Sequence, residues 1–356
     1  MELGITEYLL IFLALVLSLA LVKFSIYLSA KENWYDQIDA RKIHSGNIPR
    51  IGGFGLFLSF GITYSIYKFI KKDLDFTVLP ILLGGFCIWL YGILDDFKNL
   101  RARLKFVIQI LVIGAVVYFS PYYLKNILGL QLPVWFGKAL TFFWILLLVN
   151  AFNLIDGIDW LCSGITLLSV LTLSFIFAKA NSNIFVSLMF LCASIVGFMY
   201  FNKPDAKIFL GDGGSQTLGY CVAVIPLLYE DASLMYNKIL VMVLFAAIPV
   251  TDVIAAIWRR IRDKRSIFST DRAHIHHKLL NIGFSKRSAL FYLLVLQFLT
   301  CASVFVSIIL RSNESETLLV ITLIFVELFF ITIHYINRAV NLKMKGHLPA
   351  NPQSEH

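Results

Sequence analysis

Eleven apolar runs separated by short polar intervals organise this chain of 356 residues. They fall near 5–29, 51–69, 77–94, 106–120, 139–153, 161–178, 184–200, 216–229, 238–257, 288–310 and 318–336. Runs approaching the roughly 20 residues that cross a hydrocarbon layer predict membrane helices. The fold class is therefore all-α: a polytopic integral membrane bundle of about eleven transmembrane helices. Irregular backbone at the helix ends should line a cavity, because lipid satisfies no backbone hydrogen bond. Residues 1–336 read as one polytopic membrane domain and 337–356 as a cytoplasmic tail, with no soluble domain or internal repeat. The N-terminus lacks a basic lead and its apolar run is too long for a cleaved signal, so it reads as a retained first span.

Charge sets the orientation. Only 15% of residues are charged against 58% hydrophobic, whereas charged residues make up about a quarter of a soluble domain. The net charge of +9 then reflects the bias of Lys and Arg toward cytoplasmic loops, and nucleic acid is not needed to explain it. With the N-terminus outside (periplasmic) and the C-terminus cytoplasmic, the loops 30–50, 95–105, 154–160, 201–215, 258–287 and the tail hold roughly 22 of the 31 Lys and Arg. The five cysteines form no CxxC pair, which argues against a disulfide frame or a zinc site.

The same orientation gathers every aspartate cluster at the cytoplasmic face. Carboxylates are costly within a bilayer, so their repeated use at span ends calls for a function. Asp95-Asp96 sits at a span exit, where a metal or Lys105 would keep both acids ionised. Read alone, the pair serves equally as an interfacial anchor, and Arg101, Arg103 and Lys105 as positive-inside charge. Asn153, Asp156 and Asp159 are spaced by three, which brings neighbours to one helical face unless Gly157 breaks the helix. Such oxygen-only donors suit Mg²⁺ or Mn²⁺; a capped helix end is the plain alternative.

Asp212 lies in Gly211-Asp212-Gly213-Gly214-Ser215, whose amides at a helix start would attract phosphate, though a glycine-rich connector reads similarly. The most basic loop ends in Asp271-Arg272-Ala273-His274-Ile275-His276-His277. Phosphate or sugar contact by Arg272, His274, His276 and His277 fits it better than a soft metal site, with a solvated basic loop as the alternative. Arg50 precedes the Gly52-Gly53 entrance to the second span, and Asp252 after Pro249 reads as support for the site or as a partner of Arg259.

In this order the motifs resemble the polyprenyl-phosphate N-acetylhexosamine-1-phosphate transferases of glycosyltransferase family 4, over about Arg41 to Arg287. His274-Ile275-His276-His277 followed by Gly283-Phe284-Ser285-Lys286-Arg287 is similar to the bacterial undecaprenyl-phosphate GlcNAc-1-phosphate branch, which starts O-antigen, enterobacterial common antigen or teichoic-acid linkage synthesis. It is less similar to the peptidoglycan branch that transfers phospho-N-acetylmuramoyl-pentapeptide. Trp160 departs from the family's usual glycine, which bears on donor choice.

The resemblance implies a Mg²⁺-dependent phosphoglycosyltransferase of the bacterial cytoplasmic membrane, with its active site on the cytoplasmic face. A UDP-N-acetylhexosamine, most simply UDP-N-acetylglucosamine, would donate sugar-1-phosphate to undecaprenyl phosphate and release UMP. It assigns the metal to Asp212 with Asn153, and donor contacts to Asp156 and Asp159. Asp95 or Asp96 would activate or position the acceptor phosphate. His274, His276, His277 and Arg272 would hold the donor, and Arg50 and Lys105 the lipid phosphate. A homodimer is also implied. A secondary transporter, the reading from a different class, would place its acids near the midplane within repeats. A CDP-alcohol phosphotransferase would show a spaced DGxxAR pattern, which is absent.

Overall fold

The computed structural model describes residues 3–35, 48–73, 75–180, 182–229, 237–266, 273–310 and 312–346. Its first four helices are α1 (Ile5–Glu32), α2 (Gly52–Lys71), α3 (Leu79–Lys98) and α4 (Ala102–Phe119). A two-residue hairpin, β1 (Asn126–Ile127) with β2 (Leu130–Gln131), leads into α5 (Val134–Ile155), α6 (Leu161–Ala180) and α7 (Ser182–Asn202). Next come α8 (Gly211–Val224), a 3₁₀ turn (Ile225–Leu228), α9 (Lys238–Phe245) and α10 (Ala247–Arg262). The chain closes with α11 (Ile275–Ile282), α12 (Lys286–Ser307) and α13 (Ser312–Gly346).

All eleven apolar runs fall on helices, but two differ from simple spans. Among the described residues nine helices are long and apolar enough to cross a membrane, or ten if α9 and α10, which meet at 77°, form one broken span. The eighth run became α8 and its 3₁₀ turn, a short element enclosed by others rather than a span by length. Hydropathy cannot separate these cases, since a helix buried in protein and one buried in lipid are equally apolar. The last helix also runs past the expected 336 boundary to Gly346, because a helix does not stop where its sequence turns polar; residues 347–356 lie outside the described set.

The core is built around α8, which packs closely on α3 and α5 and also touches α2 and α6. Every side chain of α8 except Cys221 is buried. Close approach is possible because glycine meets glycine: a Cβ on Gly53 would lie 2.4 Å from the Gly214 backbone, and one on Gly92 would lie 2.5 Å from Gly213. In lipid, where no water drives helices together, such close packing is a main source of association. Elsewhere Ser18 donates to the Ser194 carbonyl (2.7 Å) and Ser59 to the Ser194 hydroxyl (3.0 Å), tying α1 and α2 to α7.

Candidate active site

The site is assembled at the buried N-terminus of α8. The strand-like segment before α2 pairs with the chain entering α8: Phe209 N–H donates to the Pro49 carbonyl (2.8 Å), Gly52 to Phe209 (2.9 Å) and Gly53 to Leu210 (2.8 Å). This pairing sets Arg50 against Asp212. Gly211 has φ +77°, and a Cβ there would lie 2.0 Å from the Arg50 carbonyl and 2.6 Å from Asp96 Oδ2. Only glycine tolerates both the left-handed backbone and the lack of space.

Asp96 closes the end of α8. Its Oδ1 accepts from the Asp212 amide (2.7 Å) and its Oδ2 from the Gly213 amide (3.0 Å). A carboxylate on the free amides of a helix start is held by charge-assisted bonds and by the helix dipole. Asp95 turns the other way. It accepts from the Leu100 amide (2.7 Å) and forms an ion pair with Lys105. The left-handed cap at Asn99 makes this possible by turning α3 sharply into α4.

Asp212 then receives two cations, Arg50 on Oδ1 (3.1 Å) and Lys105 on Oδ2 (3.0 Å). The adjacent acids of the sequence therefore divide their work: Asp96 fixes the backbone of Asp212, and Asp95 fixes its lysine. Asn153 reaches the same helix end, its Oδ1 accepting from Ser215 Oγ (3.0 Å).

Asp156, just past the end of α5, makes no hydrogen bond with another described residue. Burial pushes its carboxyl up to about 7; Arg50 opposes this, while Asp212 and Asp159 reinforce it. Asp159 stands apart and accepts from the Ala206 amide (3.3 Å). Burial raises its pKa too, with that amide and Lys286 pulling the other way.

The histidines enter from α11. Asp252 on α10 accepts from the Ile275 amide (2.8 Å) and lies 2.8 Å from His274 Nδ1. It thus caps α11 and orients one imidazole, a supporting role of the kind its sequence context suggested. His276 is 2% exposed, and its ring would lie 2.3 Å from a Cβ on Gly157. It therefore packs under the Asp156–Asp159 turn. Burial lowers its pKa well below the usual imidazole range, and His277 and His274 add to the effect. The more open His277 lies beside His276 with the rings tilted at 44° and their centres 4.3 Å apart, while His274 stacks against it at 5.9 Å. Arg272 lies outside the described residues.

Sequence reading missed a buried amide network beneath these groups. Gln109 donates to Tyr91 Oη (2.8 Å) and to Gln216 Oε1 (3.0 Å), and Asn150 donates to Gln109 Oε1 (2.9 Å). Tyr91 also bonds Gln216, whose amide points toward Asp212 Oδ2 (3.4 Å). The available signal was Gln109, a polar residue in the middle of an apolar run. Trp160, next to Asp159, has a left-handed backbone. Its φ is +68°, the region glycine favours, but its indole turns to α7, donating to the Met199 carbonyl (2.6 Å), while its amide donates to Asn202 Oδ1 (3.0 Å).

Two features suit a hard divalent cation. The donors, carboxylate and amide oxygen, are of the right type. Asp95, Asp96, Asp156 and Asp212, when ionised, outnumber Arg50 and Lys105 by two charges among the described residues. No three His, Cys, Asp or Glu side chains among those residues converge as a ready-made cage. An ion here would take the remaining ligands from water and substrate phosphates, the usual manner of Mg²⁺.

Known proteins carry the same arrangement of sequence. The glycosyl transferase family 4 pattern matches residues 78–230, which include α3 through α8. A Bacillus subtilis (strain 168) protein named probable undecaprenyl-phosphate N-acetylglucosaminyl 1-phosphate transferase is 32% identical over 87% of this chain and 86% of its own length. Proteins named undecaprenyl-phosphate alpha-N-acetylglucosaminyl 1-phosphate transferase are 31% identical in Thermotoga maritima and 29% in Escherichia coli K12. These cover 74% and 79% of the chain, and 78% of each relative. By this extended likeness, carried over the helices that build the site, the chain belongs to glycosyl transferase family 4.

Proposed function

We propose that this membrane protein transfers N-acetylglucosamine 1-phosphate from UDP-N-acetylglucosamine to undecaprenyl phosphate, releasing UMP. The product is a lipid diphosphate sugar on which a cell-surface polysaccharide is begun. The observation that carries the reading is the Asp212 carboxylate between Arg50 and Lys105 at the start of α8, in a chain whose relatives are named for this transfer. The loop charge favours the cytoplasmic face of the bacterial inner membrane, where a soluble nucleotide meets a lipid acceptor.

Both reactants are anions, so the central task is to bring them together. An oxygen of the acceptor phosphate attacks the β-phosphorus of the donor. The bond from that phosphorus to the bridging oxygen breaks, and UMP leaves with the electron pair. A phosphate monoester with second pKa near 6 is already largely ionised at neutral pH, which makes a strong general base unnecessary.

Lys105 and Arg50 offset the approaching phosphate charge. Asp95 holds Lys105 in place, and Asp96 is a positioning residue that holds the backbone of Asp212. Asp156, free of protein hydrogen bonds among the described residues, faces the donor. Asp159 and the His274–His277 segment shape its outer side. Mg²⁺, or Mn²⁺ in its place, would be held by Asp212 and Asn153 and would supply charge neutralisation to the diphosphate when bound.

The test is UMP release by purified protein with undecaprenyl phosphate and a panel of UDP-N-acetylhexosamines, with and without divalent metal. Release with UDP-N-acetylglucosamine that requires both lipid and metal, and is lost in Asp212→Asn, is the expected result. Folded wild-type protein that releases no UMP from any donor would overturn the assignment.

A further inference from the structure

Between α2, α3, α7 and α8, in the half of the bundle away from the carboxylates, lies a cavity of about 1410 Å³. Phe60, Ile62, Phe86, Leu191 and Val224 are among its apolar walls, and its mouth carries Lys68, Asp73, Asp75 and Asn183. Binding sites for small molecules are usually about 300–1,000 Å³, so this space is large for a metabolite. An apolar cavity of this kind is a poor place for water, and the most abundant chains in a membrane are acyl chains.

The mouth makes it more than a lipid-filled gap. Lys68 Nζ lies 3.0 Å from Asp73 Oδ2, which also accepts from Asn183 Nδ2 (2.9 Å); Asn183 is held in turn by Tyr67 Oη (2.9 Å). One Lys68 proton is thus used on Asp73, and the ammonium has others to offer. Asp75 accepts from the Thr77 amide (2.9 Å) and hydroxyl (2.6 Å) and has no ion pair among the described residues. Among the described residues that line it, one cation and two carboxylates leave the mouth net negative, the reverse of the basic face around Arg259 to Arg265. Such a mouth disfavours an anionic headgroup and favours one that carries an ammonium next to its phosphate.

We propose that this cavity binds a diacyl phospholipid with an ethanolamine headgroup. The acyl chains fill the apolar space, the phosphate meets Lys68, and the ammonium meets Asp75. A primary ammonium donates hydrogen bonds to a carboxylate, which a quaternary choline cannot do.

Gly61 supplies the decisive variant. It lines the cavity, and a Cβ there meets nothing within 4 Å, so Gly61→Trp occupies the space without a clash at its base. The full chain is reconstituted in vesicles of equal parts dioleoyl phosphatidylethanolamine, phosphatidylcholine and phosphatidylglycerol, with undecaprenyl phosphate added. It is then extracted in mild detergent, and the retained lipid is counted by native mass spectrometry. Wild type should keep the ethanolamine lipid about tenfold over the other two, the ratio expected of one well-placed charge contact. Gly61→Trp should lose it with unchanged circular dichroism, and Asp75→Asn should keep lipid but lose the preference for ethanolamine over choline. Equal lipid retention by wild type and Gly61→Trp would overturn the proposal. So would an unaltered preference in Asp75→Asn, or retention of the isoprenoid phosphate or a second copy of the chain at this site instead.

Discussion

Replacing Asp96 by Ala should unfold the start of α8 before it disturbs any chemistry. The carboxylate accepts two amide bonds, at 2.7 and 3.0 Å, from the first turn of the most enclosed helix in the bundle. Bonds to a charged group contribute about 1.5–3 kcal/mol each, and the charge at a helix start adds about 0.3–1 kcal/mol. Asp96 is only half-buried, so water recovers part of this, and a net loss of about 3 kcal/mol is expected. By the scaling of soluble domains, that is a fall in unfolding temperature on the order of 5 to 10 °C.

With exposed Cys87 and partly exposed Cys221 replaced by Ser, Cys162, Cys192 and Cys301 supply the assay, since they are buried and react with a maleimide dye only as the bundle opens. Asp96→Asn should lose somewhat less, because its amide keeps one acceptor oxygen but turns an NH₂ toward a backbone N–H. Asp156→Asn, in the same cluster, should show no such fall, for its carboxylate makes no hydrogen bond to another described residue. If Asp96→Ala melts with wild type yet no longer turns over, the capping argument is wrong and Asp96 acts on substrate directly.

Three further outcomes are expected. Gly211→Ala should be folded poorly or not at all, because its Cβ would sit 2.0 Å from the Arg50 carbonyl at φ +77°; wild-type expression and melting would contradict this. For Asp156, the folded pKa of about 7 lies above the ordinary 3.8, so the native state holds a proton that the unfolded chain gives up. That contribution to stability is fully present below about 4 and is lost as pH rises through about 7, and Asp156→Asn should be the more stable protein at pH 8. Turnover should fall as pH drops below about 7 if the ionised form is needed, and a flat wild-type melting profile over this range would refute the assignment. Trp160→Phe, which loses the indole bond to Met199, should lower the melting temperature and leave the choice of UDP-sugar unchanged; an altered donor preference would return Trp160 to the substrate.

The helical class, the positions of the apolar segments and the ordered carboxylates were legible in the sequence because each is a local property. An apolar run must bury itself, Lys and Arg distribute by loop, and a motif is recognised by its own residues. Asp212, Arg50, Lys105, Asp95 and Asp96 could be named as one group because span parity placed them at one face. Their division of labour could not. Which of two neighbouring aspartates caps α8 and which holds Lys105 depends on the direction of two Cα–Cβ bonds, one toward a helix more than 100 residues further along the chain and the other toward the next helix.

The same holds for Gln109, whose partners Tyr91, Asn150 and Gln216 come from three other helices. It holds too for Trp160, whose left-handed backbone sends the indole to α7, and for the lowered pKa of His276, set by its burial. Sequence determined what had to leave water and roughly where charge had to gather. Tertiary structure alone decided which groups meet, because hydrogen bonds and ion pairs act over a few ångströms while the chain positions that supply them are scattered.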